Sequence, residues 1–338
     1  MNKVRWGLLS TARINRRLIP AIRATKRGSI TAVASRDEAR ARQYADQWNI
    51  PGAFGSYDAM LASGEIDAVY IGLPNQLHAE WSIRAMEAGV NVLCEKPFAI
   101  TLEEVDAMIA ASQRTGKVLA EAFMYRHHPQ SKAVSEWLSS GRLGDLILVR
   151  STFSFDLDEP ENVRMVPEWG GGALWDIGVY PVSLSQFVFG GPPLQVSGAQ
   201  VTGATGIDES FAGQMIYPPA APGGAERLAE FSCSFRSPWH THAEVLGTLG
   251  RLVLERPFSG MDDGRRHVHY YDKDGRDQSI YVPRQELYLG EVQDMHAAIL
   301  EGKPNLLSLE ETRNHVRTVL ALYQAAREGR AVRIDQGI

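Results

Sequence analysis

Glu95-Lys96-Pro97 sets a carboxylate and an ammonium side by side at the end of an apolar run, Val90 to Cys94, that reads as a strand. Opposite charges at the mouth of a buried strand are costly to hold unless solvent, a ligand or a partner group satisfies them. In an open α/β sheet, ligands sit beyond the carboxyl ends of the strands, so the tripeptide reads as the reactive edge of a cofactor site. A surface Glu–Lys pair before a helix-starting proline is the plainer alternative. A second stretch, Trp169-Gly170-Gly171-Gly172-Ala173-Leu174-Trp175-Asp176-Ile177-Gly178-Val179-Tyr180, leaves the backbone bare at three glycines and then starts a helix. Asp176 and Tyr180 are four apart and share one helical face. An aspartate and a tyrosine on an otherwise apolar helix need partners. The stretches lie roughly 80 residues apart, as expected if two domains clasp one substrate.

Such groups need a scaffold. Val4 to Leu9 reads as a buried strand, then Ser10-Thr11-Ala12 leads into a helix with Ile14, Leu18 and Ile22 on one face. Against the dinucleotide fingerprint Gly-x-Gly-x-x-Gly, Gly7 stands first, Leu9 second and Ala12 third. The expectation is that Gly7 makes the tight turn. Ser10, Thr11 and the backbone N–H groups of Ala12, Arg13 and Ile14 would cradle phosphate at the helix start. Pro20 interrupts that helix. The second strand, Ser29 to Ser35, ends in Ser35-Arg36-Asp37. NAD enzymes usually place an acidic group there for the ribose 2′-hydroxyl. Ser35 and Arg36, with Arg40 one turn along, suit a 2′-phosphate instead, while Asp37 reads as the N-cap of the next helix. This favours NADP(H), against the alternative of a solvated arginine.

Ala68 to Gly72 is a further strand, running into Leu73-Pro74-Asn75-Gln76-Leu77-His78, where Asn75 can cap a helix and His78 can begin it. After Pro97, Thr101 and Glu104 form a capping box for a helix from about Leu102 to Thr115, and Val118 to Phe123 is a last strand. Strand–helix alternation over this region predicts a doubly wound parallel sheet. Past Gly144 the pattern changes to alternating strands. In Leu228 to Arg236, residues Ala229, Phe231, Cys233 and Phe235 point one way, and Asp274-Gly275 marks a hairpin. The tail returns to helix at Leu287–Leu300 and Leu309–Arg327.

The 338 residues suggest two domains, 1–123 and 124–338. A net charge of −5 excludes an electrostatic footprint for nucleic acid or anionic membrane. Two cysteines, Cys94 and Cys233, give no disulfide framework and fit a reducing compartment. The amino terminus shows no signal-peptide apolar region. The uncharged stretch Ile177 to Ile207 is broken by Pro181 and Gly190-Gly191-Pro192-Pro193, so a soluble cytoplasmic protein is expected. His240-x-His242 and His267-x-His269 each put two imidazoles on one strand face. They would make a zinc site only if adjacent, and no cysteine or carboxylate spacing supports it, so no metal is expected. Hydrolysis is disfavoured, since there is no Gly-x-Ser-x-Gly elbow and Cys94 lies beside Glu95 in an apolar strand.

Glu95-Lys96-Pro97 after its strand, with the glycine-rich run ending in Asp176 and Tyr180, resembles the two signatures of the glucose-fructose oxidoreductase/inositol dehydrogenase (Gfo/Idh/MocA) family. The resemblance covers the whole chain. It implies an N-terminal Rossmann domain plus a C-terminal α+β domain with a large open, mostly antiparallel sheet. It implies a catalytic Lys96, often before a cis proline bond, and places Leu73, Pro74, Asn75, His78 and Glu95 along the cofactor. It makes Glu121 to Pro129 the passage to the substrate domain, with Arg126 or His127 touching ligand and Arg164 and Trp169 contacting sugar. Oxidising a hydroxyl carbon requires hydride departure and loss of the hydroxyl proton. A tyrosine of pKa about 10 is a poor base unaided, and a lysine ammonium would favour its phenolate. Tyr180 is therefore the expected proton donor or acceptor, Lys96 its electrostatic partner and Asp176 an orienting group. Tyrosine at this position, where family inositol dehydrogenases usually carry histidine, resembles the branch of xylose and dihydrodiol dehydrogenases and nucleotide-sugar 3-ketoreductases. The reading is an NADP(H)-dependent oxidoreductase of a sugar or cyclic polyol, as a homodimer or homotetramer. The family also holds NAD-dependent glycosidases and non-catalytic regulators; Arg36 speaks against the first, the retained Lys96, Asp176 and Tyr180 against the second.

Overall fold

The structure, a computed structural model, describes residues 3–259 and 266–334. They fall into two compact units, one formed by residues up to His127 with Glu286–Arg313, the other by His128–Gln285 and residues from Asn314 on. The first unit alternates strand and helix: β1 (Val4–Leu9), α1 (Asn15–Ala24), β2 (Gly28–Ala34), α2 (Glu38–Trp48), β3 (Gly52–Phe54), α3 (Tyr57–Leu61), β4 (Ala68–Ile71), α4 (His78–Glu87), β5 (Asn91–Glu95), α5 (Leu102–Thr115) and β6 (Leu119–Ala122). The six strands pair in parallel in the order β3-β2-β1-β4-β5-β6. The order reverses between β1 and β4, and that switch point opens a crevice at the strands' carboxyl ends. The strands are near-continuous apolar runs because helices cover both faces of such a sheet; Trp6, Leu8, Val69, Tyr70, Val92 and Leu93 are all buried. α5 starts at the expected capping box, with Thr101 and Glu104 bonded reciprocally.

The second unit contains α6 (Pro129–Ser139), β7 (Leu146–Asp156) and a π-helical turn, Leu174–Gly178, that runs into α7 (Val179–Phe189). There follow β8 (Gln195–Thr202), β9 (Asp208–Tyr217), β10 (Arg227–Ser234), β11 (Arg236–Gly247), β12 (Gly250–Glu255), β13 (His267–Asp272) and β14 (Asp277–Ile280). With β15 (Val332–Arg333) these form a nine-stranded sheet ordered β14-β13-β12-β11-β7-β10-β9-β8-β15. Every pairing is antiparallel except β7 with β10. On β10 the predicted alternation is present, with Ala229, Phe231 and Cys233 buried. α7 packs on β7 and β10 and is buried almost all round, which an apolar helix requires. The hairpin from β13 to β14 turns at Gly275, whose φ is 82°.

α8 (Leu289–Glu301) and α9 (Leu309–Glu328) complete the chain's helices among the described residues. The stretch Glu286–Arg313 groups with the first unit, whereas the sequence reading keeps 124–338 together. Its reason is visible at β1: the Trp6 indole Nε1–H donates to His296 Nε2 of α8 at 2.9 Å, and Arg126 pairs with Glu311. Among the described residues no helix is long and apolar enough to cross a membrane.

Candidate functional site

Leu9 ends β1 and α1 starts at Asn15. Between them the tight turn falls on Ser10, whose φ of 131° is a conformation that side-chain-bearing residues rarely adopt. Its hydroxyl donates to the Gly72 carbonyl at 3.0 Å and accepts from Ala12 N–H at 3.2 Å, and the Asn15 amide donates to the Ser10 carbonyl at 2.8 Å. Gly7 does not make this turn. It lies inside β1, where an added Cβ would meet Ile66 at 3.0 Å and Met60 at 3.2 Å. The fingerprint therefore runs three residues later than the sequence alignment put it, through Ser10, Ala12 and Asn15. α1 has no side-chain cap and no acidic residue in its first turn. Its positive end, with Thr11, Arg13 and Ile14 leading into it, fits a phosphate group.

At the end of β2, Asp37 accepts from the Arg40 N–H at 3.0 Å and so caps α2. Its own N–H donates to the buried Ser35 hydroxyl at 3.3 Å. Asp37 is thereby engaged in the cap, and Arg36 and Arg40 are exposed beside it. The residues present fit a 2′-phosphorylated dinucleotide.

At the end of β5, the Glu95 carboxylate accepts from the Tyr70 hydroxyl and from Lys96 N–H at 3.2 Å. Lys96–Pro97 is a cis bond. Phe98 N–H donates to Glu121 at 3.2 Å. Glu121 is 2 % exposed, and burial pushes its carboxyl up to about 8, against the hydrogen bond from Phe98. His78 is fully buried, with Nδ1 2.8 Å from the Pro97 carbonyl and Nε2 2.9 Å from the Leu73 carbonyl. Burial lowers its pKa, with the nearby Lys96 charge adding to that. Both ring nitrogens face backbone carbonyls, so His78 sits between the Leu73-Pro74 loop and the lysine turn. A 3₁₀ turn, Asn75–Leu77, precedes α4.

Arg126 and His127, expected to touch ligand, are buried in a 3₁₀ turn, Met124–His127, of the first unit. The Arg126 guanidinium pairs with Glu311, and His127 Nε2 lies 3.4 Å from Asp294. Arg126–Glu311 is an internal ion pair of the first unit.

In the second unit the glycine run is shaped by the chain's own backbone. Gly171 N–H donates to the Val166 carbonyl and Gly172 N–H to the Arg164 carbonyl, each at 3.0 Å. A Cβ on Gly171 would stand 2.5 Å from the Arg164 carbonyl oxygen, and one on Gly172 would stand 2.0 Å from Asp208 Oδ1. Asp208, at the start of β9, accepts from Leu174 N–H at 2.7 Å and from the Tyr323 hydroxyl at 2.7 Å. It pins the entrance to the helix, and burial pushes its carboxyl up to about 6. Sequence reading missed Asp208, which no motif marks and whose backbone partner is far away in the chain. Asp176 lies in the π-helical turn and Tyr180 in α7; such turns gather at functional sites. Arg164 Nε donates to Asp176 at 2.7 Å, so the structure joins two of the expected site residues. Tyr180 is 4 % exposed, with Phe153 at 5.4 Å and Phe258 at 5.7 Å between ring centroids. Trp169 is 40 % exposed. Lys96 belongs to the first unit, Asp176 and Tyr180 to the second.

Residues 4–123 match the model of the Gfo/Idh/MocA oxidoreductase family, NAD-binding Rossmann fold, and residues 131–253 match that family's C-terminal domain. A D-xylose 1-dehydrogenase (NADP(+)) of Haloferax volcanii is 36 % identical over 98 % of this chain and 99 % of its own. A trans-1,2-dihydrobenzene-1,2-diol dehydrogenase of Danio rerio is 35 % identical over 74 % of each chain. The crystal structure of a 3-ketoreductase from Actinomadura kijaniata with NADP and TDP-benzene superposes with a TM-score of 0.87 at 27 % identity, over 96 % of this chain and 98 % of that one. With both sheets, the lysine turn and the glycine-rich helix entrance in place, this chain belongs to the Gfo/Idh/MocA family of oxidoreductases.

Proposed function

We infer that the chain is an NADP(H)-dependent oxidoreductase that transfers a hydride between nicotinamide and a hydroxyl- or carbonyl-bearing carbon of a sugar or cyclic polyol-like substrate. The observation that carries the cofactor choice is the end of β2, where Asp37 is engaged in capping and Arg36 is exposed. The names of the relatives, NADP-dependent xylose dehydrogenase and nucleotide-sugar 3-ketoreductase among them, support the substrate class. A bound nicotinamide supplies the hydride acceptor or donor. Ser10, Thr11, Ala12, Arg13 and Ile14 bind its phosphates, and Ser35, Arg36 and Arg40 its 2′-phosphate. Tyr180 gives or takes the hydroxyl proton. Lys96 supplies positive charge to the oxygen that becomes anionic. Asp176 orients Arg164, and with Trp169 these form the sugar-contacting group. Two buried free thiols, Cys94 and Cys233, suit the cytoplasm, and the open face of the nine-stranded sheet suits a homodimer or homotetramer.

The test is a fluorescence titration with NADPH and NADH on wild type and Arg36→Ala, followed by a panel of aldoses and cyclic polyols at the nicotinamide absorbance. Tighter NADPH binding that weakens selectively in the variant, by about tenfold or more, supports the reading. Preference for NADH, or NAD that co-purifies without exchanging, overturns it in favour of the glycosidase branch.

A further inference from the structure

Away from the residues above, the outer end of the nine-stranded sheet gathers imidazoles and a carboxylate on one face. Register aligns His242 of β11 with Glu255 of β12, and Glu255 with His267 of β13. His269 follows two residues later on the same face as His267. The two His-x-His pairs are therefore not adjacent. One strand separates them, which at about 4.8 Å per strand spacing keeps His242 from sharing an ion with His267. Instead β12 provides the carboxylate that no sequence spacing revealed. One ligand atom each from Glu255, His267 and His269 lies within 4.8 Å of the other two, and His269 Nε2 is 3.9 Å from Glu255 Oε1. The imidazoles of His267 and His269 stack with centroids 6.2 Å apart and 17° between planes, so both rings project together from the strand.

We propose that Glu255, His267 and His269 form a binding site for a divalent transition-metal ion of the zinc class. Two imidazole nitrogens and one carboxylate oxygen are a donor set that such ions take, with the remaining position left to water. Ligand atoms around an ion at about 2.0–2.1 Å stand roughly 3.3 Å apart. Closing from the observed spacing takes side-chain rotation only, and the Glu255 and His269 side chains are 54 % and 25 % exposed, which leaves them room to turn. The other imidazole pair is a built-in comparison. His240 and His242 stack in the same way, at 6.3 Å, but Glu244 on their own strand is held by Arg251 at 2.6 Å, and Glu255, across from His242, groups its ligand atom with His267 and His269. The β13 pair has the better claim to a metal. The bound ion joins β12 to β13 near the sheet's edge and stabilises that edge rather than taking part in hydride transfer.

The experiment is equilibrium dialysis of the chelator-treated full chain against Zn²⁺, with Co²⁺ absorption as the readout of ligand geometry and thermal unfolding as the readout of stabilisation. Wild type should bind saturably, with a ratio of about one ion per chain at this site and a melting temperature raised by the ion. His269→Ala, His267→Ala and Glu255→Gln should each weaken binding by roughly tenfold or more and remove the rise in melting temperature, while His240→Ala should bind as wild type does. Absence of saturable binding in the wild type overturns the site. So does equal loss in His240→Ala, which would identify non-specific capture by surface imidazoles. Because the readouts are binding and unfolding, the result stands apart from whether the chain uses NADP(H).

Discussion

At the scale of single residues, Lys96 and Tyr180 bear the proposed chemistry, and their removal tests it directly. Lys96→Ala and Tyr180→Phe should each lower kcat by ~100-fold or more, the usual share of a positioned proton donor or charge, while an NADPH titration still reports binding. Unchanged turnover in both would end the proposed mechanism. Glu121 makes a separate claim about pH. Its folded-state carboxyl stands at about 8, far above the value of about 4.3 for an unfolded chain. A raised carboxyl contributes stability in full at low pH, and that contribution is lost as pH rises from about 4.3 through 8. Glu121→Gln keeps an oxygen to accept from Phe98 N–H but cannot ionise. Its unfolding free energy from urea titration should decline less between pH 5 and 8 than that of wild type, with a difference at pH 8 on the order of 2–4 kcal/mol. Parallel curves for the two proteins would show that the carboxyl does not titrate there. His296 works in the opposite sense: burial holds its imidazole down to about 4, so its stability contribution is present above about 6.5 and lost as pH falls through 4.

At the scale of elements, the entrance to α7 is a tightly packed construction. Gly172 has φ +127° and no room for a side chain beside Asp208. Gly172→Ala should therefore cost about 2–5 kcal/mol, combining backbone strain with a clash. Gly275→Ala, at φ +82° with open space around it, should cost only about 1 kcal/mol. Urea unfolding of the pair would compare them, and equal costs would mean that Asp208 does not confine Gly172. This entrance also marks what a sequence can and cannot reveal. The strands and helices of the first unit were legible because apolar period and capping residues are local: Thr101 and Glu104 announce α5 on their own. The catalytic candidates were legible through their motifs. What escaped depended on long-range closeness. Gly7 looked like the turn glycine because a fingerprint counts glycines, whereas the turn belongs to a serine held by Gly72 and Asn15. Asp208 had no local sign because its meaning comes from Leu174 and Tyr323. Arg126 pairs with Glu311, a partner far along the chain that no local pattern announces.

At the scale of the whole molecule, the first unit is discontinuous in the chain. An amphipathic pattern at Leu287–Leu300 says that a helix packs on something; it does not say on which unit. In the structure α8 supplies His296 to Trp6 in the core of that unit. A fragment ending at His127 would leave the indole N–H of Trp6 without its acceptor and expose the side of β1 and α1 that α8 covers. We expect that fragment to lack the cooperative unfolding transition of the full chain by circular dichroism, and fusing Glu286–Arg313 to it should restore one. A cooperative transition in the short fragment alone would show that α8 is dispensable to the unit's stability.

The same discontinuity sets a schedule for the protein at birth. Emerging from the ribosome at about 5–20 residues per second, the chain must extrude all of His128–Gln285 before α8 arrives, an interval on the order of 10–30 s. During that time the side of β1 and α1 that α8 covers stays open.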